Sequence, residues 1–300
     1  MIRSAQIFCV LLLVPMISFS QTVEEAIEKA YAFQTTGKHE QAASVIDNAV
    51  GTKKGSQNEI AWHIRGFVYK DLFLKNRTNA EGHEQREISV ESLKRSIELD
   101  DENKLTVQNE KALKYLAISY FNDASDIISL HQPGTIETAD ELYTKYKSII
   151  LQIYPDTVLD AKDVEYYLAM STAHRKIYES DREKFDNHYH KSNDYLTKVL
   201  DIDPNSFNAN FSKGVTYYNR GVHKLARLPY VEIYDFMEIQ SESMRCIEAA
   251  LPFMQRAYEI DSTKLEVVKA LKIITFNLNK EEESKHYQQL EESLRDGKDK

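Results

Sequence analysis

The stretch DNHYHKSND sets His188 and His190 two residues apart, with Asp186 and Asp194 on either side. Imidazoles with carboxylates are the ligand types of a divalent zinc site. A helix rotates about 100° per residue, so side chains two apart diverge and share an ion only if this stretch is a loop. The reading here is a solvated polar surface between helices. A second candidate is the carboxylate-rich run NKEEESKHYQQLEESLRD, where paired acids would serve general acid–base chemistry. Glu mixed with Lys on an amphipathic helix is a solvated face, however, and Tyr287, Leu290 and Leu294 fall at the spacing of an apolar stripe. That pattern reads as a terminal capping helix. Cys246 has no second Cys or His pattern near it and is expected as a small buried side chain on a helix. No nucleotide-binding Gly-rich loop, Gly-x-Ser-x-Gly elbow or His-Glu-x-x-His motif occurs. No catalytic, cofactor-binding or metal residue is assigned, and the chain reads as non-enzymatic.

The elements that would carry any site are helices. Nine Gly and six Pro in 300 residues leave few breakers, while 42% of the residues are hydrophobic and supply a sizeable core. The fold class is all-α. Helix stops recur at intervals of roughly 50 residues: SIELDDEN from Ser96, IILQIYPD from Ile149, VLDIDPNS from Val199 and AYEIDSTK from Ala257, with NAVGTKKG around Ala49 as an earlier copy. Pro155 and Pro204 lack the N–H a continuing helix needs. The polar residues after them then cap the next helix, Asn205 or Ser206 in one case and Asp261 or Ser262 before a helix near Leu265 in another.

The helices after these stops share a stripe of small and bulky residues at spacings of three and four. Trp62, Gly66 and Tyr69 form one; Leu113, Leu116, Ala117 and Tyr120 another; Tyr167, Met170, Ser171 and His174 a third; Val267, Ala270, Leu271 and Ile274 a fourth. Gly214 and Tyr217 keep half of it. A small residue lets a neighbouring helix approach closely, and the bulky one a turn later fills the space beside it.

WHIRGFVY from Trp62, and GKHEQAASVIDNAV from Gly37 with Ala42, Ile46 and Ala49, resemble the tetratricopeptide repeat family. Arg65 and Lys213 stand where that family prefers Leu, and His174 where it prefers Tyr. The segments at 70–88, 121–138, 178–190 and 221–245 read as inter-helix insertions that lengthen the family unit of about 34 residues. The resemblance implies a right-handed α-solenoid of about five to six helical hairpins over residues 21–300. It also implies a concave groove lined by first helices, which receives a protein or peptide. Carried over by position, the groove residues are His63, Phe67 and Lys70; then Lys111, Lys114, Ile118 and Phe121; then Leu168, Thr172, Arg175 and Lys176; then Asn208, Phe211, Val215, Tyr218 and Asn219. Such a mixture of cations and aromatics suits a partner with carboxylates and apolar anchors.

The first twenty residues, MIRSAQIFCVLLLVPMISFS, carry one basic residue, an apolar run from Ile7 to Ile17, and small residues at Ser18 and Ser20. They read as a secretory signal peptide cleaved after Ser20, too short in its apolar run for an anchor. Loss of Arg3 takes the formal net charge from −9 to −10, which disfavours a nucleic-acid partner. The expected location is a bacterial periplasm or envelope, with no stable membrane anchor and no cofactor. Two other functions remain open: a glycan or small-ligand module that uses the Tyr residues, and an enzyme with its site in the insertions.

Overall fold

The computed structural model describes residues 22–226 and 233–296; the expected signal peptide lies outside them. Twelve α-helices and no strand occur among the described residues. They run α1 (Val23–Thr35), α2 (His39–Val50), α3 (Glu59–Lys75), α4 (Ala80–Leu99), α5 (Thr106–Leu130), α6 (Thr138–Ile153), α7 (Asp160–Ser180), α8 (Asp186–Ile202), α9 (Phe207–Ala226), α10 (Ile233–Ile260), α11 (Leu265–Asn277) and α12 (Glu281–Asp296). The chain forms two compact units, one ending at Leu116 and the other beginning at Ala117. In each, consecutive helices pack as hairpins, the arrangement the repeat resemblance implies.

Helix ends follow the local chemistry of the stops. In the first unit Thr22 and Glu25 form a reciprocal capping box at α1, Asn58 accepts from the Ala61 amide at 2.8 Å, and Asn79 accepts from Gly82 at 2.9 Å. The Asp100 carboxylate ends the α4 stop and gathers the Lys104, Leu105 and Thr106 amides at 3.0, 2.8 and 2.8 Å, which launches α5. In the second unit Ser206 accepts from Ala209 at 3.4 Å and so starts α9. Asp261 departs from its expected role. Its carboxylate holds the turn through the Thr263 amide and hydroxyl, and α11 begins two residues later with no side-chain cap.

The four expected insertions are mostly longer helices. α3 runs to Lys75 and α4 begins at Ala80; α7 runs to Ser180 and α8 begins at Asp186. Only the short connections 76–79 and 181–185 remain between these helices, and added turns cost little once a hairpin seam is there to bury them. α10 continues through Pro252, so the segment after α9 holds one long helix with no break there.

The first unit is centred on Ala30, Ala42, Ile46, Ala61, Val68 and Leu72, with Trp62 half-buried beside them and its indole N–H on the Ser56 carbonyl at 3.1 Å. Across the α3–α4 seam a Cβ on Gly66 would lie 2.6 Å from Leu93 Cδ2, so a larger residue there must displace a fully buried side chain. Ser89 reaches across the same contact and donates to the Gly66 carbonyl at 2.7 Å. Arg65, where the family prefers Leu, donates to Asp47 and Ser92, each at 2.7 Å, and Asp47 also accepts from Tyr69 at 2.6 Å. Burial, with Asp47 second, pushes the Tyr69 phenol up to about 12. At the far end of the second unit, Glu291 corrects the reading of a wholly solvated acidic face on α12: it is buried and accepts from Lys272 at 2.5 Å and from Arg295.

Replacing Gly66 by Leu is expected to destabilise the chain by about 1–3 kcal/mol through overpacking against Leu93, read as a lower midpoint in urea followed by circular dichroism. An unchanged midpoint would show that the α3–α4 seam is looser than its contacts imply.

Candidate functional site

The densest polar constellation lies in the second unit, where α6, α7 and α8 meet. Asp140, Tyr143, Thr144 and Lys147 share one face of α6, since spacings of three, four and seven residues bring side chains together. Asp163, Tyr166, Met170 and His174 do the same on α7, and His188, Ser192, Tyr195 and Val199 on α8. The Tyr143 and Tyr166 rings stack with centroids 3.8 Å apart and planes 5° apart. Each phenol reaches the carboxylate on the other helix. Tyr143 donates to Asp163 at 2.7 Å, Tyr166 donates to Asp140 at 2.8 Å, and Tyr195 donates to the second oxygen of Asp140. Lys147 spans both oxygens of Asp163 at 2.8 and 2.7 Å.

Burial holds the Tyr143, Tyr166 and Tyr195 phenols far above the ordinary tyrosine range, and the carboxylates they contact add to it. This favours the protonated phenols as hydrogen-bond donors to the carboxylates beside them. Above this floor opens a cavity of about 480 Å³ lined by Asp140, Tyr143, Thr144, Lys147, Ser148, Tyr166, Tyr167 and Lys198. Thr144, Ser148 and Lys198 are exposed at its rim, and Tyr167 is half-buried. The ammonium of Lys198 lies 5.3 Å from the Tyr167 ring centroid and 4.6 Å from that of Tyr195. This is recognition chemistry: fixed hydroxyls, an aromatic wall and cations.

Behind the cavity, His188 corrects the reading of DNHYHKSND as solvated surface. The stretch is helical, and His188 is 4% exposed with its Nδ1 2.7 Å from Nδ1 of His174, itself 1% exposed. That distance requires one nitrogen to donate and the other to accept, which two neutral rings satisfy. His174 also stacks on Tyr195 at 5.4 Å, and Ser192 donates to the Ser171 carbonyl at 3.0 Å beside it. Burial, followed by the neighbouring His188, pulls the His174 pKa down to about 4. His190, two residues on, is exposed and lies 3.8 Å from Asp186. No cluster of three or more potential metal ligands occurs among the described residues. Cys246 is half-buried on α10, and burial raises its thiol pKa.

The groove residues expected from the repeat resemblance fall in both units, and none is fully buried. In the first unit His63 packs on Phe67 at 4.6 Å and bonds Asn109 through Nδ1 at 2.7 Å, Lys70 lies 4.7 Å over the Phe67 ring, and Lys114 is exposed on α5. In the second, Ile118 and Thr172 are exposed, Phe121 packs on Tyr146 at 5.3 Å beneath Lys162, and Arg175 pairs with Glu179 on its own helix at 3.1 Å. Phe211 stacks on Phe207, and the Tyr218 hydroxyl accepts from Asn277 at 3.1 Å, with Asn219 half-buried beside it. The described hydrogen bonds, ion pairs and ring contacts join none of Phe121, Arg175, Phe211 and Tyr218 to another of the four.

Sequence reasoning missed Asp140, Tyr143, Lys147, Asp163, Tyr166 and Lys198. The signal was present: an acid and a Tyr recur three residues apart on both α6 and α7, at stripe positions where an aliphatic pair would be ordinary. The packed stripe of α7 also runs through Tyr166, with Tyr167 turned half toward solvent.

No family model matches the chain, and no curated protein matches it. Among solved structures, it is similar to a human IFIT1 dimer with m7Gppp-AAAA at 12% identity and a TM-score of 0.34, covering 91% of this chain and 52% of that one. It is also similar to PilW, a type IV pilus biogenesis factor, at 12% identity and a TM-score of 0.33, covering 88% and 90%. The chain thus spans about half the length of the IFIT1 chain.

The histidine pair predicts a pH dependence. Above its unfolded value near 6.5 His174 is neutral in both states; as pH falls below that, the unfolded chain takes up a proton that the folded chain refuses until about 4. Stability is therefore expected to fall between pH 6.5 and 4, by up to about 3 kcal/mol. His174→Phe should flatten that part of the urea-midpoint profile, and an equally steep profile in the variant would remove His174 as its source.

Proposed function

We propose that the chain is an exported, non-enzymatic scaffold of tetratricopeptide-like hairpins that holds a protein or peptide partner at a bacterial envelope. The observation that carries this reading is the recurrence of lysines over partly exposed aromatic rings on helix faces: Lys70 on Phe67 at 4.7 Å and Lys162 on Phe121 at 4.6 Å. Stems and rings together offer apolar area, and the ammonium groups select carboxylate-bearing segments. Net acidity of −9 directs the preference away from nucleic acid and toward such a local match. The non-enzymatic reading is supported by the internal engagement of the candidate acid–base groups. Asp140 and Asp163 are occupied by internal donors, and the phenols on them are held protonated. No described helix is long and apolar enough to cross a membrane.

Affinity capture from the native envelope with residues 21–300 tests the scaffold reading, with the Lys114→Glu, Arg175→Glu double variant as control. Both positions are surface sites, and the like-charge pair created beside Glu179 costs only about 0.2–0.5 kcal/mol, so the fold is expected to persist. A protein retained by the parent chain and lost from the variant names the partner. Identical capture by both chains would remove these residues from the binding face.

A further inference from the structure

The cavity over α6, α7 and α8 has an unequal inventory of bonding capacity. Lys147 spends two contacts on Asp163, which balances both charges. Asp140 accepts one phenol on each oxygen, and a carboxylate has about four acceptor positions, so capacity remains at the cavity wall. Lys198, exposed at the rim, makes no hydrogen bond or ion pair among the described residues. Thr144 donates to the Asp140 carbonyl at 2.7 Å and keeps its acceptor side, while the Ser148 hydroxyl stands exposed a turn later.

An occupant must therefore meet a cation at one place, an anionic acceptor at another and hydroxyls between, with an apolar face for Tyr167. An organic cation is disfavoured because Lys147 and Lys198 already lie against the rings that would cage it. A dianion such as phosphate would face Asp140 and Asp163 at close range. A neutral apolar molecule would leave the polar wall unpaired. A molecule with one carboxylate and several hydroxyls satisfies every group at once.

We propose that this cavity binds a small polyhydroxylated carboxylate, the chemistry of a uronic acid unit, with its carboxylate on Lys198, hydroxyls donating to Asp140 and a C–H face against Tyr167. At about 480 Å³ the space takes one or two sugar rings and lies within the range of small-ligand sites. The site borders the expected groove, the Phe121 ring lying 6.1 Å from that of Tyr143, but its chemistry does not depend on the scaffold reading.

The test is a titration of the ¹⁵N-labelled chain from residue 21 on, which contains every described helix, followed by amide shifts. The probes are a galacturonic acid trimer, a neutral galactose trimer, inorganic phosphate and an end-capped hexapeptide of alternating Glu and Phe. The expected result is saturable shifts from the acidic trimer, confined to α6, α7 and α8, with affinity reduced about tenfold or more by Lys198→Glu and by Tyr167→Ala. Lys198 is exposed at the rim, so the melting curve of its variant should match the parent; Tyr167 packs on Leu196 and Val199, so its variant is expected to melt earlier and its binding is read well below that transition. Equal binding of the neutral trimer, stronger binding of phosphate or the peptide at the cavity, shifts confined to other helices, or no response to the acidic trimer would each overturn the proposal. The peptide arm and the capture experiment report separately on the scaffold reading, so either can fail alone.

Discussion

A serine hydroxyl donated across a helix hairpin to a main-chain carbonyl is the contact on which the packing depends. Among the described residues it reaches the carbonyl of a small residue three times: Ser89 to Gly66, Ser192 to Ser171, and Ser243 to Gly221, at 2.7, 3.0 and 2.7 Å. All three hydroxyl-bearing residues are completely buried. Each carbonyl has a second lone pair, which another helix reaches readily where the side chain above it is absent or small. A Cβ on Gly221 would lie 2.8 Å from the Ser243 carbonyl, so the two backbones are nearly in contact there. Sliding either helix by one residue would bury an unpaired hydroxyl at about 1–3 kcal/mol. Polar contacts inside the seam thereby help to set its register.

Between α6 and α8 flat rings fill the layer: Tyr143 on Tyr166, Tyr167 beside Tyr195, His174 on Tyr195. Phenols at a dry seam need acceptors. Asp140 and Asp163 provide them from the neighbouring helices, which converts two carboxylates into fixed parts of the packing. The same bonds leave a wall with surplus acceptor capacity and a lysine at its edge, so the cavity's recognition properties follow from how the layer is held together.

Electrostatics of the seam works through desolvation more than through net charge. Burial pulls both His174 and His188 toward the neutral form, and the repulsion of a second charge 2.7 Å away adds to this for His174. Exposed pairs such as Lys54 with Glu24 and Lys75 with Glu40 contribute little, since water and salt screen them. An acidic chain is thus compatible with a locally cationic rim.

The sequence by itself determined the helical class, the places where helices stop, and the small residues at which they touch. Pro155, Asn58 and Asp100 act on their immediate neighbours, and Gly66 is readable because three- and four-residue spacings define a face without reference to a partner. Tertiary structure decided what each face meets. Stretches taken for insertions became helix turns once a neighbour was there to cover them, α10 passed through Pro252, and His188 went inward to meet His174 from another helix. The site of Tyr143, Tyr166, Asp140, Asp163 and Lys198 draws on three helices whose mutual register is set by buried contacts far apart in the chain. Local propensity reaches about one helical turn along the chain, whereas the bonds that assemble this cavity join residues 16 to 55 positions apart.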